Sequence, residues 1–245
     1  MDLEGKVAIV TGGASGLGRA TCEALSEAGA RVLVVDIDAT HGREVADAVG
    51  GAFHAADVAQ LEENQAFVQA AVDRFGGLDL VHLNAGIGSG CGVGEDFDLE
   101  GYRRAMGVNL DGVVFGIHAA LPALDERGGG AIVATASLAG LTGMPHDPLY
   151  TANKHAVVGL VRGLAPTLVE RGVSLNAVCP GFAESPIIDP IRGMLAEAGI
   201  PIVPAEVVAS AVLELFTGET SGECWYVQPG RPAEAFRFRG IPGPR

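Results

Sequence analysis

The chain predicts an α/β fold, a doubly wound and mostly parallel sheet of seven strands with helices on both faces, built as a single domain. Three observations lead to it. Short β-branched runs alternate with longer helical patterns, the signature of parallel strands joined by crossover helices. The strand runs are almost continuously apolar, as expected when both faces of a sheet are covered. A length of 245 residues is enough to bury one sizeable α/β core.

The elements follow in order. The first strand, 6–11, runs straight into a glycine loop and a helix over 16–28. The second, 31–36, closes on Asp36, and Asp38 is placed to cap a helix over 38–49. Strand 52–56 precedes helix 62–75, and strand 79–83 precedes a glycine-rich loop, 86–98, then helix 102–125. Strand 131–137 ends at Ser137, and helix 149–170 follows. Strand 174–179 gives way to 182–204, where Pro186, Pro190, Pro201 and Pro204 stand among apolar residues. A helix over 205–216 and a strand over 224–227 complete the pattern, and 229–245 reads as an extended Pro- and Arg-rich tail. Loops 86–98 and 182–204 both leave the carboxyl ends of strands, where open α/β sheets bind ligands. The longer one has the length of a lid.

Composition narrows the partners. A net charge of −14 and a pI of about 4.7 repel nucleic acid and anionic membrane surfaces. The N-terminal residues lack a signal-peptide pattern, and no stretch of about 18 apolar residues is free of charge and turn residues. Cys22, Cys91, Cys179 and Cys224 lack CxxC spacing and read as reduced thiols. The six His show no paired ligand spacing, so no metal is expected. The expectation is a cytoplasmic protein.

The first loop, Thr11-Gly12-Gly13-Ala14-Ser15-Gly16-Leu17-Gly18, joins a strand to a helix N-terminus. Free N–H groups and the positive dipole end there suit a pyrophosphate. Gly12, Gly16 and Gly18 permit the tight turn and the close phosphate approach. Asp36 ends the second strand and can accept hydrogen bonds from both adenosine ribose hydroxyls while repelling a 2′-phosphate. No Arg or Lys stands at 13–15 or 37. NAD is therefore expected rather than NADP.

Tyr150 and Lys154 lie four apart and share one face of a helix. With only two Lys and three Tyr in the chain, that spacing arises by chance roughly once in forty, so the amine reads as placed for chemistry. With these residues in hand, the sequence resembles the short-chain dehydrogenase/reductase family, with its Rossmann-type fold, from about residue 4 to 228. The family's Thr-Gly-x-x-x-Gly-x-Gly loop matches 11–18, with Ser15 and Leu17 inside it. Its adenine-side Asp-Val pair matches Asp57-Val58, and its fourth-strand end appears as Leu83-Asn84-Ala85-Gly86. The catalytic Asn matches Asn109, the catalytic Ser matches Ser137, and the Tyr-x-x-x-Lys pair matches Tyr150 and Lys154. The string after the sixth strand matches Asn176 through Pro180-Gly181. Leu83 replaces an Asn, and Ser185 stands where a Thr often meets the nicotinamide carboxamide. The tail lacks the common Asp-Gly-Gly ending.

The resemblance implies hydride transfer between NAD and a secondary alcohol or ketone. Tyr150 is then the general acid and base, with its pKa brought down by Lys154 and by the positive nicotinamide. Ser137 holds the substrate oxygen, Lys154 the nicotinamide ribose, and Asn109 links Lys154 to solvent through a water. It also implies a homotetramer; Pro166, expected to kink the pairing helix, leaves a dimer open. The pocket segments are rich in apolar residues and hold only Arg192 as a cation, which favours an apolar small-molecule substrate. An NADPH-dependent ketone reductase and a nucleotide-binding regulator without turnover are the rival readings.

Overall fold

Strands β1 (Val7–Thr11), β2 (Arg31–Asp36), β3 (Ala52–Ala55), β4 (Leu80–Leu83), β5 (Gly130–Thr135), β6 (Val173–Pro180), β7 (Cys224–Val227) and β8 (Glu234–Ala235) form one sheet. Their order is β3-β2-β1-β4-β5-β6-β7-β8. All pairs are parallel except β7 with β8. The structure, a computed structural model, describes residues 2–240. Helices α1 (Gly16–Glu27), α2 (Ala39–Ala48), α3 (Leu61–Phe75), α4 (Leu99–Met106), α5 (Gly112–Glu126), α6 (Pro148–Val169), α7 (Arg192–Glu197) and α8 (Ala205–Thr217) complete the chain.

The strand alternation divides the apolar residues between two cores. Ile9, Val35, Val81, Ile132 and Ala177 point to one face, under Phe67 of α3, Ile117 and Leu124 of α5, and Val157 and Val161 of α6. Their neighbours Val10, Val34, Leu80, Val133 and Val178 point to the other, under Leu25 of α1, Val45 of α2 and Val212 and Phe216 of α8. This period of two, with both sides covered, is why the runs read as continuously apolar. The order reverses between β1 and β4, and the carboxyl ends of the strands there open the ligand crevice. At the opposite end, buried Asp79 accepts from Val7 N–H at 3.0 Å and pairs with Lys6 and Arg127 at 3.3 and 3.2 Å.

Two expectations need correction. The sheet has eight strands, because the tail turns back after Gly230 and pairs with β7 through Trp225–Ala235 and Tyr226–Glu234. That turn was hidden by the tail's lack of an apolar run. Phe236 N–H then bonds Cys224 O at 2.8 Å, and Phe238 lies under the Arg162 guanidinium of α6 at 3.8 Å. Residues 241–245 of the predicted tail lie outside the described residues. The helix expected over 102–125 starts at Leu99, capped by Asp98, which accepts from Glu100 and Gly101 N–H at 3.1 and 3.0 Å. It passes through a π-helical turn, Gly107–Asp111, before α5. Leu99–Glu126 is long and apolar enough to cross a membrane, yet half of that apolar window is buried in the fold. Pro166 lies inside α6, which continues to Val169.

Candidate active site

The glycine loop is built by close approach. Gly12 and Gly16 have φ of +64° and +50°. A Cβ on Gly18 would stand 2.0 Å from Gly12 O, one on Gly12 2.9 Å from Ala85 Cα, and one on Gly16 2.9 Å from Ser185 Cβ. The loop therefore touches both the end of β4 and the start of the 182–204 segment. Ser15 precedes α1 without capping it by its side chain, and no acidic residue occupies the first turn. The N-terminal N–H groups of α1 stay unopposed for an anion. These features fit a dinucleotide pyrophosphate.

Asn84 holds this cradle. Its Nδ2 donates to Thr11 O at 3.1 Å and Gly12 O at 3.3 Å, and its Oδ1 accepts from the Thr135 hydroxyl at 3.1 Å. Thr11 Oγ1 accepts from Asn84 and Ala85 N–H at 2.9 and 3.1 Å. Because Thr135 donates its only hydroxyl proton to Asn84, its oxygen must accept from His82 Nε2 at 2.8 Å. Burial pushes the His82 pKa down to about 3, so the ring stays neutral.

The Asp36 carboxylate sits beside the loop, accepting from Ala14 N–H at 3.0 Å and Asp38 N–H at 2.9 Å. Asp38 caps α2, as its position predicts. Next to Asp36, Ile37 is 76% exposed, an apolar surface the sequence reading passed over. Asp57 accepts from Ala59 N–H at 2.9 Å. Val58 is buried, its side chain filling the space that a Cβ on Gly112 would enter at 2.8 Å.

Ser137, two residues past β5, converges with Tyr150 and Lys154 of α6 and Asn109 of the π-helical turn. Ser137 accepts from Ala139 N–H at 3.1 Å and donates to Pro180 O at 3.5 Å, and it is close enough to the Tyr150 phenol to lower its pKa. Lys154 is buried, and its Nζ donates to Thr135 O at 2.8 Å. A Cβ on Gly86 would lie 3.2 Å from Asn109 Oδ1 and 3.5 Å from Lys154 Nζ, so this glycine leaves room for both groups on the same side of the crevice. Asn109 Oδ1 accepts from Ile87 N–H and its Nδ2 donates to Ile87 O, both at 2.8 Å. The π-helical turn aims this side chain inward, a frequent use of such turns at functional sites.

The electrostatics differ from the expectation. Burial pushes the Tyr150 phenol up to about 12, against a lowering hydrogen bond from Ser137. Lys154 does not draw it down: Nζ is turned onto Thr135 O, 5.5 Å from the phenol ring centroid. The ammonium itself is pushed down to about 8 by the same burial.

Two segments flank the crevice. Loop 86–98 exposes Val93 and Phe97, and the 182–204 segment exposes Ile187, Met194 and Ile200. The latter folds into a 3₁₀ turn, Pro186–Ile191, followed by α7. Its ends are tied by Val203 N–H to Phe182 O at 2.7 Å and Glu184 N–H to Val203 O at 2.9 Å. Arg192 is held by Glu184 at 2.8 Å and Asp189 at 3.1 Å, so the one cation foreseen there is neutralised. Pro180 ends β6, and Gly181 N–H bonds Val227 O at 2.9 Å. Ser185 donates to Ala183 O at 3.1 Å. One feature nearby was not legible in the sequence. Leu138 and Leu141, just past Ser137, share a cavity of about 490 Å³ with Arg231, Glu234, Phe236 and Arg237 of the tail.

The short chain dehydrogenase family model matches residues 6–195, spanning the cradle, the Ser–Tyr–Lys set and most of the lid. The chain belongs to the short-chain dehydrogenase family. It is an oxidoreductase that uses a nicotinamide cofactor and acts on CH–OH donors. It is 40% identical over 188 residues to a cyclohexanol dehydrogenase of Acinetobacter sp. (strain SE19), covering 75% of each chain. It is 41% identical over 202 residues to a 2,5-dichloro-2,5-cyclohexadiene-1,4-diol dehydrogenase of Sphingobium indicum, covering 81% of this chain and 80% of that one. Among solved structures, a 3-ketoacyl-(acyl-carrier-protein) reductase from Brucella melitensis, complexed with NADH, superposes with a TM-score of 0.88 at 29% identity. That match covers 94% of this chain and 99% of the other.

Proposed function

We propose that this dehydrogenase interconverts an alicyclic secondary alcohol and its ketone with NAD. The observation that carries the reading is the convergence of Ser137, just past β5, with Tyr150 and the buried Lys154 of α6, whose Nζ reaches Thr135 O, on the side of the sheet where Asp36 meets the glycine loop. When bound, the dinucleotide supplies the hydride acceptor or donor. Gly12, Ser15, Gly16, Leu17 and Gly18 would hold its phosphates, Asp36 its ribose hydroxyls, and Ile37, Asp57 and Val58 its adenine side. Asn84, Ala85, Gly86, Pro180, Gly181 and Ser185 would line its nicotinamide half.

The chain's own groups manage the proton. Tyr150 takes the hydroxyl proton of the alcohol at its phenolic oxygen, or returns it to the developing alkoxide. Ser137 donates to the same substrate oxygen and stabilises its charge. Lys154, fixed by Thr135 O, keeps two N–H donors for the nicotinamide ribose. Asn109 and Lys154, both beside Gly86, would start a proton path to solvent through a water. Because burial, with a smaller push from the Asp147 carboxylate, holds the phenol near about 12, its descent to the working range draws on the positive charge of the oxidised cofactor.

Substrate class rests on the exposed apolar side chains of both loops and on the cyclic alcohols named for the two relatives. We further infer a homo-oligomer, a tetramer before a dimer, through the face where Val114, Ile117 and Leu121 of α5 and Leu160 and Leu164 of α6 line a shallow cavity. The reduced thiols and the acidic surface favour the cytoplasm.

The test is titration of NAD⁺ and NADP⁺ side by side by protein fluorescence. A carboxylate about 4 Å from a 2′-phosphate costs roughly 4 kcal/mol near a surface, so NAD⁺ should bind at least ~100-fold more tightly. Asp36→Ala should narrow that ratio. Preference for NADP⁺ in the natural chain would overturn the assignment and favour the ketone-reductase reading.

A further inference from the structure

The 86–98 loop forms one wall of the substrate crevice, yet it has no regular structure between β4 and α4. Its first anchor is Ile87 on Asn109. Its second is Ser89, which is only 2% exposed and reaches across to Asp147 at the start of α6. Ser89 N–H donates to Asp147 Oδ2 at 2.9 Å, and Ser89 Oγ bonds Asp147 Oδ1. The same Oδ1 accepts from Tyr150 N–H at 2.8 Å. Beyond Ser89, the loop is held mainly by bonds within itself, such as Gly92 N–H to Asp96 O at 3.2 Å and Phe97 N–H to Gly94 O at 3.2 Å.

The choice of side chain is informative. Capping α6 needs one acceptor, which Ser, Thr or Asn supplies as well as Asp. Here the second carboxylate oxygen is given to the loop. An Asn in the same pose would either aim its NH₂ at Ser89 N–H, two donors facing, or give up the cap. Only a carboxylate accepts from both sides at once, and bonds to a charged acceptor are the stronger kind.

We propose that Asp147 is a positioning residue that locks the 86–98 substrate loop onto the first turn of the helix carrying Tyr150, so that one carboxylate sets both the pocket wall and the acid–base group. This rests on the reading of Tyr150 as the acid and base. The lock lies far from the cofactor cradle: nothing in it touches the glycine loop, Asp36 or Asn84.

The experiment compares Asp147→Ser, which keeps a helix cap but lacks the second acceptor, with Ser89→Ala, using cyclohexanol as the probe. Each variant is examined for kcat, KM, NAD⁺ affinity and backbone hydrogen exchange. In Asp147→Ser, KM should rise about tenfold and kcat should fall several-fold. NAD⁺ affinity should stay within twofold, and the amides of residues 89–95 should lose protection while those of α6 beyond its first turn keep theirs. Ser89→Ala should shift the same quantities in the same direction, and the double variant should add little to Asp147→Ser, as for two ends of one contact. Natural loop protection and unchanged KM in Asp147→Ser would overturn the lock. So would a uniform loss of NAD⁺ affinity and of exchange protection across the whole chain, which marks a general structural role. Tyr150→Phe is the separating control. If it turns over at the natural rate, the acid–base reading fails and takes the catalytic half of the proposal with it, while loop exchange still decides whether the lock exists.

Discussion

Replacing Gly18 by Ala tests the cofactor cradle at its tightest point. The added methyl would stand 2.0 Å from Gly12 O and 2.7 Å from Asn84 Nδ2, where ordinary contact begins near 3.4 Å. The Gly12 carbonyl must therefore retreat by roughly 1.4 Å, the difference between contact and overlap, which breaks the 3.3 Å bond it accepts from Asn84. A lost hydrogen bond of this kind costs about 1 kcal/mol, and overpacking a rigid site costs about 1–3 kcal/mol more. The sum, about 2–4 kcal/mol, corresponds to a fall in Tm of roughly 5–15 °C for a chain of this length. The phosphate-facing backbone moves with it, so NAD⁺ affinity should drop about 100-fold. Calorimetric unfolding and NAD⁺ titration read the two effects. Gly193→Ala is the control: its Cβ meets nothing within 4 Å, and both quantities should hold. A Gly18→Ala protein with natural Tm and natural NAD⁺ affinity would refute the cradle geometry.

Lys154→Met should abolish turnover yet stabilise the fold at pH 7 by up to about 3 kcal/mol, because burial lowers the folded-state pKa from 10.5 to about 8. The folded value lies below the unfolded one, so the penalty is full below pH 8 and is relieved between pH 8 and 10.5. Urea unfolding of both proteins across that window should show the advantage shrinking as pH rises. Tyr150→Phe should lower kcat by ~10²–10⁴ while NAD⁺ titration and Tm stay near natural values. Truncation after Pro232 removes β8 and the Phe238 contact with Arg162. KM for cyclohexanol should rise more than kcat falls, and light scattering should reveal association through the uncovered β7 edge.

Much of the site was legible because its chemistry is local. The glycine loop, Asp36 at the end of a strand and the Tyr150–Lys154 spacing each need only a few consecutive residues to be recognised, and the fold carries them to the same crevice. The tail was not legible: β8 has only two residues, and its pairing depends on the neighbouring β7 edge. The role of Asp147 was not legible, since its loop partner, Ser89, lies 58 residues away. The behaviour of Lys154 was misjudged for a related reason. Spacing places it beside Tyr150, but burial and Thr135 O decide where its ammonium points and how readily it stays charged.

The sequence by itself determined the strand–helix alternation, the two apolar strand faces and the residues that meet at the carboxyl ends of the strands. Those follow from periodicity and from backbone freedoms only glycine has. Only the tertiary structure decided which carboxylate ties which loop, what closes the edge of the sheet, and the charge states of Tyr150 and Lys154. Hydrogen-bond partners distant in sequence and loss of water are properties of packing, and packing exists only once the chain has folded.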